Sequence, residues 1–382
     1  MLNRRNFFRI SGTTAAGAML APYISGRGLE AMVAAGAPLH AAPSLIRLDS
    51  NENPNGPGTA AIRALQAALG ESNRYPKDAT FPLPSAIAKF HGLKTENVVL
   101  GCGSTDILRA SVYAFCDASR GLVTCSPGFE TPSETAKFKG YPVRAVPVTG
   151  DLKLDLDAMA TAARGAGLVY FCNPNNPTST VHGKDAVTAF VDKVLKDSPN
   201  TTIMIDEAYH EYVDDPSYAT SIPIAMNNPR VFIARTFSKV YGMAGLRVGY
   251  ALGDAKTMKQ LAPHTMEMGV NQLGAFAASY SIADRAHVQD EQKGNRIARA
   301  FAVKGFRDLG YTVADSQANF MMVDLGRNAQ PFREACKKEG VLVGRKFPPL
   351  ENHCRITIST LDDMTKAMEV FRAALSTRAA SG

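Results

Sequence analysis

Short, uninterrupted apolar runs, interleaved with stretches of helical spacing, are what most limits the folds open to this chain. The runs fall at 98–100, 121–125, 168–172, 203–206 and 231–235. None alternates apolar with polar residues, so each reads as a strand covered on both faces, the condition of a parallel sheet. Helical spacing appears at 57–70, 105–115 and 185–196. Repeated strand–helix units predict an open α/β sheet whose strand ends carry the functional loops. Near residue 290 the pattern changes. A helix, a strand at 320–323, a helix near 331–339, a strand at 354–359 and a last helix predict a separate α/β segment.

The net charge of +7 on 382 residues is unevenly placed. Arg4, Arg5, Arg9 and Arg27 face a single acid, Glu30, in the first 42 residues, and the rest of the excess is spread without a dense Lys/Arg block. That argues against nucleic acid as the main partner. The run Arg4-Arg5-Asn6-Phe7-Phe8-Arg9 resembles a twin-arginine export motif, paired arginines ahead of an apolar pair and a further basic residue. A weakly apolar stretch follows at 10–24, too short for a membrane span. The resemblance implies that 1–42 is an export signal read by the twin-arginine translocase, with small-residue cleavage candidates at Ala35-Gly36-Ala37 and His40-Ala41-Ala42. The mature chain would then work in the periplasm or otherwise outside the cytoplasm; the alternative is a disordered basic N-terminus. Cys102, Cys116, Cys125, Cys172, Cys336 and Cys354 lack Cys-x-x-Cys spacing, so no metal site is expected. Buried free thiols are the default and a disulfide the alternative.

The chemistry is carried by Arg235-Thr236-Phe237-Ser238-Lys239 and the glycine-rich segment that leads to Arg247. A lysine ending a buried strand can form an imine with an aldehyde when its neutral amine is accessible. An arginine's planar fork suits phosphate. Together they resemble the lysine motif of the class I/II aminotransferases, in particular the histidinol-phosphate aminotransferase branch. The resemblance implies pyridoxal 5′-phosphate (PLP) as cofactor, a Schiff base on Lys239, and Thr236, Ser238 and Arg247 among its binders.

Further motifs follow the same family in order. Asp206-Glu207-Ala208-Tyr209 resembles its acidic strand end, which implies Asp206 on the ring nitrogen and Tyr209 on the ring oxygen, with Lys239, Asp206 and Tyr209 as the catalytic groups. Alone, Asp206 reads equally as a helix N-cap. Asn173-Pro174-Asn175-Asn176-Pro177-Thr178 reads as a turn and resembles the family's Asn-Pro-Thr-Gly loop, which implies that the turn presents Asn176 to the same oxygen. Gly101-Cys102-Gly103-Ser104-Thr105, between a strand and a helix, resembles the phosphate cradle, implying Gly103, Ser104 and Thr105. Phe129 stands where the family stacks an aromatic ring on the cofactor, with core packing the alternative. Tyr75 resembles a tyrosine that reaches the phosphate of a neighbouring subunit, implying a homodimer. Arg355 matches the binder of the substrate carboxylate, with Asn319 and Asn53 also on the substrate side.

This resemblance spans nearly all of the mature chain. It implies fold type I: a large domain, 76–285, with a mixed, mostly parallel sheet flanked by helices, a smaller α/β domain at 286–382, and an N-terminal arm at 43–75. It also implies transamination between an amino acid or related amine and a 2-oxo acid. Racemisation, decarboxylation or oxidation on the same scaffold, and a non-catalytic binding protein, are the alternatives. Four positions depart from the family pattern. Phe129 replaces the more usual tyrosine, a change that stacking survives. Ser179 replaces a glycine and is expected to alter its turn. Asn55 replaces a tyrosine that helps hold a substrate phosphate. Gly344 intervenes before Arg345. A phosphate site lacking a donor loses on the order of 1.5–3 kcal/mol, enough to change the preferred substrate.

Overall fold

The computed structural model describes residues 45–77 and 82–376, so the twin-arginine segment at 1–42 lies outside the described residues. From Ile46 onward the chain is one compact unit. Its centre is a seven-stranded sheet of β2 (Val98–Cys102), β3 (Leu122–Ser126), β4 (Val143–Pro147), β5 (Leu168–Cys172), β6 (Thr202–Asp206), β7 (Val231–Thr236) and β8 (Val248–Gly253), in the order β2-β8-β7-β6-β5-β3-β4. The five strands from β7 to β4 are parallel, whereas β8 runs antiparallel to both β7 and β2. It is an α/β fold on a mixed, mostly parallel sheet, and each apolar run of the sequence became a strand of it.

Period-two alternation divides the side chains of this sheet between two apolar layers. Phe171, Ile203, Ile205 and Ile233 enter one layer. Tyr170, Cys172, Met204, Phe232 and Ala234 enter the other. Both are sealed by helices, so the strands carry no polar face and read as continuous apolar runs.

Two strands of this sheet escaped the sequence reading. β8 contains Gly249 and Gly253, which break the appearance of a strand. Yet Gly249 is required there, because a Cβ would stand 2.2 Å from the Ser104 amide. β4 lies at the sheet edge and is largely exposed along 143–147, so its apolar signal is thin.

A third apolar cluster joins Leu48 to residues between Ala298 and Leu375. It lies around a three-stranded antiparallel sheet of β9 (Thr312–Val313), β10 (Phe320–Asp324) and β12 (His353–Thr357). Beside it β1 (Ile46–Leu48) pairs in parallel with β11 (Val341–Val343), so residues near the start of the described chain are stitched to this C-terminal layer. The six cysteines are free thiols, five of them buried.

Candidate active site

The parallel strands β3, β5, β6 and β7 finish on one edge of the large sheet. Because β8 runs backwards, β2 finishes there too and β8 starts there. A cavity of about 590 Å³ opens at this edge, where open α/β sheets bind their ligands. The strand ends deliver Ser104, Thr105, Phe129, Asn176, Asp206, Tyr209, Thr236, Ser238, Lys239 and Arg247 to it, and β12 delivers Arg355 from the second sheet. Eleven of the residues singled out in the sequence thus line a single cavity.

One end is built for an anion. Gly103 has a φ of +71° and caps the helix Ser104–Phe115, whose first amides have no partner within the helix. A Cβ on Gly103 would meet an Arg247 guanidinium nitrogen at 2.2 Å, so the absence of a side chain makes the cradle. Arg247 donates to Ser238 Oγ at 3.2 Å, and Thr236 Oγ1 donates to the same oxygen at 2.9 Å. No carboxylate is paired with Arg247 among the described residues.

The middle holds the reactive groups. Lys239 Nζ donates to the Asn51 carbonyl at 3.0 Å and lies 5.3 Å from the Tyr209 ring centre. Burial, with help from the nearby Arg355 charge, lowers its pKa to about 8. Asp206 is buried, and burial raises its carboxyl to about 6 against the opposing effect of its hydrogen bonds. Asp206 Oδ1 accepts from the Ala208 amide at 3.1 Å in a local turn, not from the first turn of a helix, so the N-cap reading does not hold. Tyr209 Oη accepts from Asn51 Nδ2 at 3.2 Å and Asn176 Nδ2 at 3.4 Å.

At the far side Arg355 is buried, donating to Asn176 Oδ1 at 2.8 Å and the Asp49 carbonyl at 2.6 Å. Both acceptors are neutral, and its Nε has no partner. A buried guanidinium without a carboxylate is costly unless a ligand supplies one. Phe129 is half-buried, both lining the cavity and packing against the apolar layer that contains Tyr170, so its two readings coexist.

Three expected residues are elsewhere. Asn53 Nδ2 donates to the Val240 carbonyl at 2.9 Å, and Asn319 Nδ2 donates to the Asn51 carbonyl at 3.1 Å. Both line a second cavity of about 330 Å³ on the other side of the 51–53 segment, because that segment forms a wall between the two. Asn319 braces the carbonyl that holds the lysine, whereas Asn53 holds the backbone of the residue after the lysine. Tyr75 is 77% exposed and does not line the cavity of its own chain. Ser179 keeps the glycine conformation it was expected to disturb, with φ +64°, and donates from Oγ to the Thr178 carbonyl.

Other site groups were not singled out. Asn51 is the hub, holding Lys239 through its carbonyl, Tyr209 through Nδ2 and Thr357 through Oδ1. Arg333 also lines the cavity, beside Arg345, which the sequence marks as displaced by Gly344 and which forms an ion pair with Glu130. Tyr170 hydrogen-bonds Asp206. Only strand alternation combined with the β5–β6 pairing could have flagged Tyr170. Behind the site, Glu207 turns to the opposite side from Asp206 and pairs with buried Arg235 at 2.7 Å.

Comparison with known proteins places these features in a common setting. The profile of aminotransferase class I and II matches residues 43–371. A histidinol-phosphate aminotransferase of Symbiobacterium thermophilum is 34% identical over 93% of this chain and 96% of its own. An aromatic amino acid aminotransferase of Nocardia farcinica is 34% identical over 79% and 84% respectively. The structure of a Sinorhizobium meliloti histidinol-phosphate aminotransferase, solved with pyridoxal 5′-phosphate, superposes with a TM-score of 0.79 at 26% identity, covering 95% of this chain and 98% of that one.

Proposed function

The chain belongs to the aminotransferase class I and II family, and from that premise we propose how its own residues carry the reaction and which substrates they favour. It is a PLP-dependent aminotransferase that uses an amino donor and a 2-oxo acid. The cavity suits the cofactor on its donor set alone: an unpaired arginine beside a helix start for the phosphate, a buried acid for a protonated ring nitrogen, and a buried amine between them. When bound, PLP supplies an aldehyde that condenses with amines and a ring that accepts electrons.

In this reading Gly103, Ser104 and Thr105 contribute backbone donors to the phosphate, with Ser238 and Arg247 adding side-chain donors and Thr236 orienting Ser238. Asp206 would hold the ring-nitrogen proton. Asn176 and Tyr209 would serve the ring oxygen, and Phe129 would pack against the ring. Lys239 would hold the cofactor through its amine and would take and return the substrate proton at Nζ. A pKa near 8 gives that amine a usable neutral fraction at ordinary pH. Arg355 receives the substrate carboxylate.

The observation that carries the substrate class is the uncompensated Arg355. It favours donors with a free α-carboxylate. A phosphorylated amino alcohol is disfavoured because Asn55 turns away to donate to Glu291 at 3.0 Å and Arg345 is already neutralised by Glu130. Two further readings rest on sequence. The Arg4-Arg5 segment supports export and a periplasmic location, and exposed Tyr75 supports a homodimer that completes the site.

Borohydride reduction of the yellow holoenzyme followed by peptide mapping tests the lysine. A single reduced adduct at Lys239 is expected, and labelling of another lysine overturns the assignment. Half-reactions followed by absorbance test the donor. Amino acids should convert the cofactor to its amine form without a 2-oxo acid present, and faster turnover of histidinol phosphate than of every amino acid would overturn the substrate reading.

A further inference from the structure

We propose that Tyr170 is a positioning residue for this reaction, its phenol fixing the orientation and charge of the Asp206 carboxylate that meets the ring nitrogen. The inference rests on the role given to Asp206 above.

Tyr170 belongs to β5 and pairs with Met204 in the β5–β6 register, two pairs before Cys172 with Asp206 at the cavity wall. Residues two apart on a strand share a face. The ring therefore lies in the layer that ends at the site, where it is fully buried beside Cys172, Met204 and Phe232. Its hydroxyl donates to Asp206 Oδ2 at 2.8 Å, while Oδ1 takes the Ala208 amide at 3.1 Å. Among the described residues these are the two donors to the carboxylate. No guanidinium or ammonium is bonded to it, and the residue is only 3% exposed. A buried carboxylate held by two donors depends heavily on each.

The remaining titratable groups around it act in both directions. The Lys239 charge favours the anion, the neighbouring Glu207 opposes it, and the Cys172 thiol and Tyr209 phenol are themselves pushed up by burial. Without the Tyr170 hydroxyl, the carboxyl would hold its proton to higher pH. A protonated acid loses the negative charge that favours a protonated ring nitrogen, and a carboxylate tethered on one side can rotate out of line. A tyrosine kept only for packing would need some acceptor for its hydroxyl; here the acceptor is the reactive acid.

The test compares two probes, PLP and its 1-deaza analogue, in which C–H replaces the ring nitrogen. Dissociation constants are measured on cofactor-free protein by absorbance and fluorescence titration. The native chain should prefer PLP, and Asp206→Asn should abolish the preference. Tyr170→Phe should reduce the PLP-to-analogue affinity ratio on the order of tenfold, the effect of one lost charge-assisted hydrogen bond, while leaving the analogue's affinity within about twofold. Equal weakening of both probes, or an unchanged ratio, overturns the proposal in favour of a packing role. No preference in the native chain overturns the reading of Asp206 itself.

A second readout is the infrared titration of the Asp206 carboxyl in cofactor-free protein, assigned by difference with Asp206→Asn. Its midpoint, about 6 in the native chain, should rise in Tyr170→Phe. Tyr170→3-fluorotyrosine, a stronger donor of nearly the same shape, should lower that midpoint and raise the affinity ratio. A midpoint that ignores both changes overturns the proposal, and the fluorinated variant retains the test if Tyr170→Phe fails to fold.

Discussion

Lys239 gives the clearest case of a residue kept against the interest of stability. Its amine is buried, and its pKa falls from 10.5 to about 8 mainly through loss of solvent. Between those values the unfolded chain binds a proton that the native chain does not, so stability rises with pH across that window and the full penalty is present below it. That penalty is about 3 kcal/mol at pH 7. Lys239→Met should therefore make the cofactor-free protein more stable at pH 7 while abolishing transamination. Urea unfolding of both proteins at pH 7 and pH 10 checks this, and a stability gap that fails to narrow at the higher pH contradicts it. Motif residues such as Lys239, Asp206, Arg247 and Arg355 were legible because chemistry restricts which side chains can serve. Asn53 and Asn319 were not, since an asparagine in a family motif can act on substrate or on backbone, and only coordinates distinguish the two. Asn51 escaped because its decisive contact uses its carbonyl, which every residue has.

At the scale of elements, the anion end depends on two backbones approaching without side chains between them. Gly103 lies against Arg247, and Gly249 against the Ser104 amide. Gly103→Ala places a methyl where the guanidinium lies and also requires an unfavourable φ of +71°. PLP affinity should fall by at least about 100-fold, the equivalent of displacing one charged phosphate contact, with the midpoint of thermal unfolding reduced less in the cofactor-free protein than in the holoenzyme. Equilibrium dialysis and paired melting curves measure both; undiminished affinity would show that the cradle tolerates a side chain. The strands β5, β6 and β7 were legible as elements because double burial leaves uninterrupted apolar runs. β8 was hidden by the glycines that its packing demands, so the feature that obscures the strand in sequence is the one that lets it fit.

For the whole molecule, several large apolar side chains remain exposed on the described surface: Ile62, Leu69, Tyr75, Met266, Met268 and Tyr280. They come from the helix Thr59–Ala68 and its continuation, the packed helix Gln272–Ser281, and the segments around 75 and 266–268. Exposed apolar side chains of this kind are what an association face would use, and Tyr75 does not line the cavity of its own chain. The protein should sediment at twice its chain mass, and Tyr280→Glu should shift it toward monomer with parallel loss of activity, because each site then lacks its neighbour's tyrosine. An active monomer would remove Tyr75 from the site.

By itself the sequence determined the strand–helix alternation, the ordered set of motifs and the residue types the chemistry requires, because these are local patterns or direct consequences of side-chain chemistry. The tertiary structure decided which of those side chains share one cavity, that β8 runs backwards and brings Arg247 to the anion end, and that Asn53 and Asn319 line a different cavity. It also decided that Tyr170 meets Asp206, two residues far apart in sequence and joined only by the pairing of adjacent strands. Such contacts depend on register and strand order, which are set by the burial of whole faces and leave no mark on any single stretch of chain.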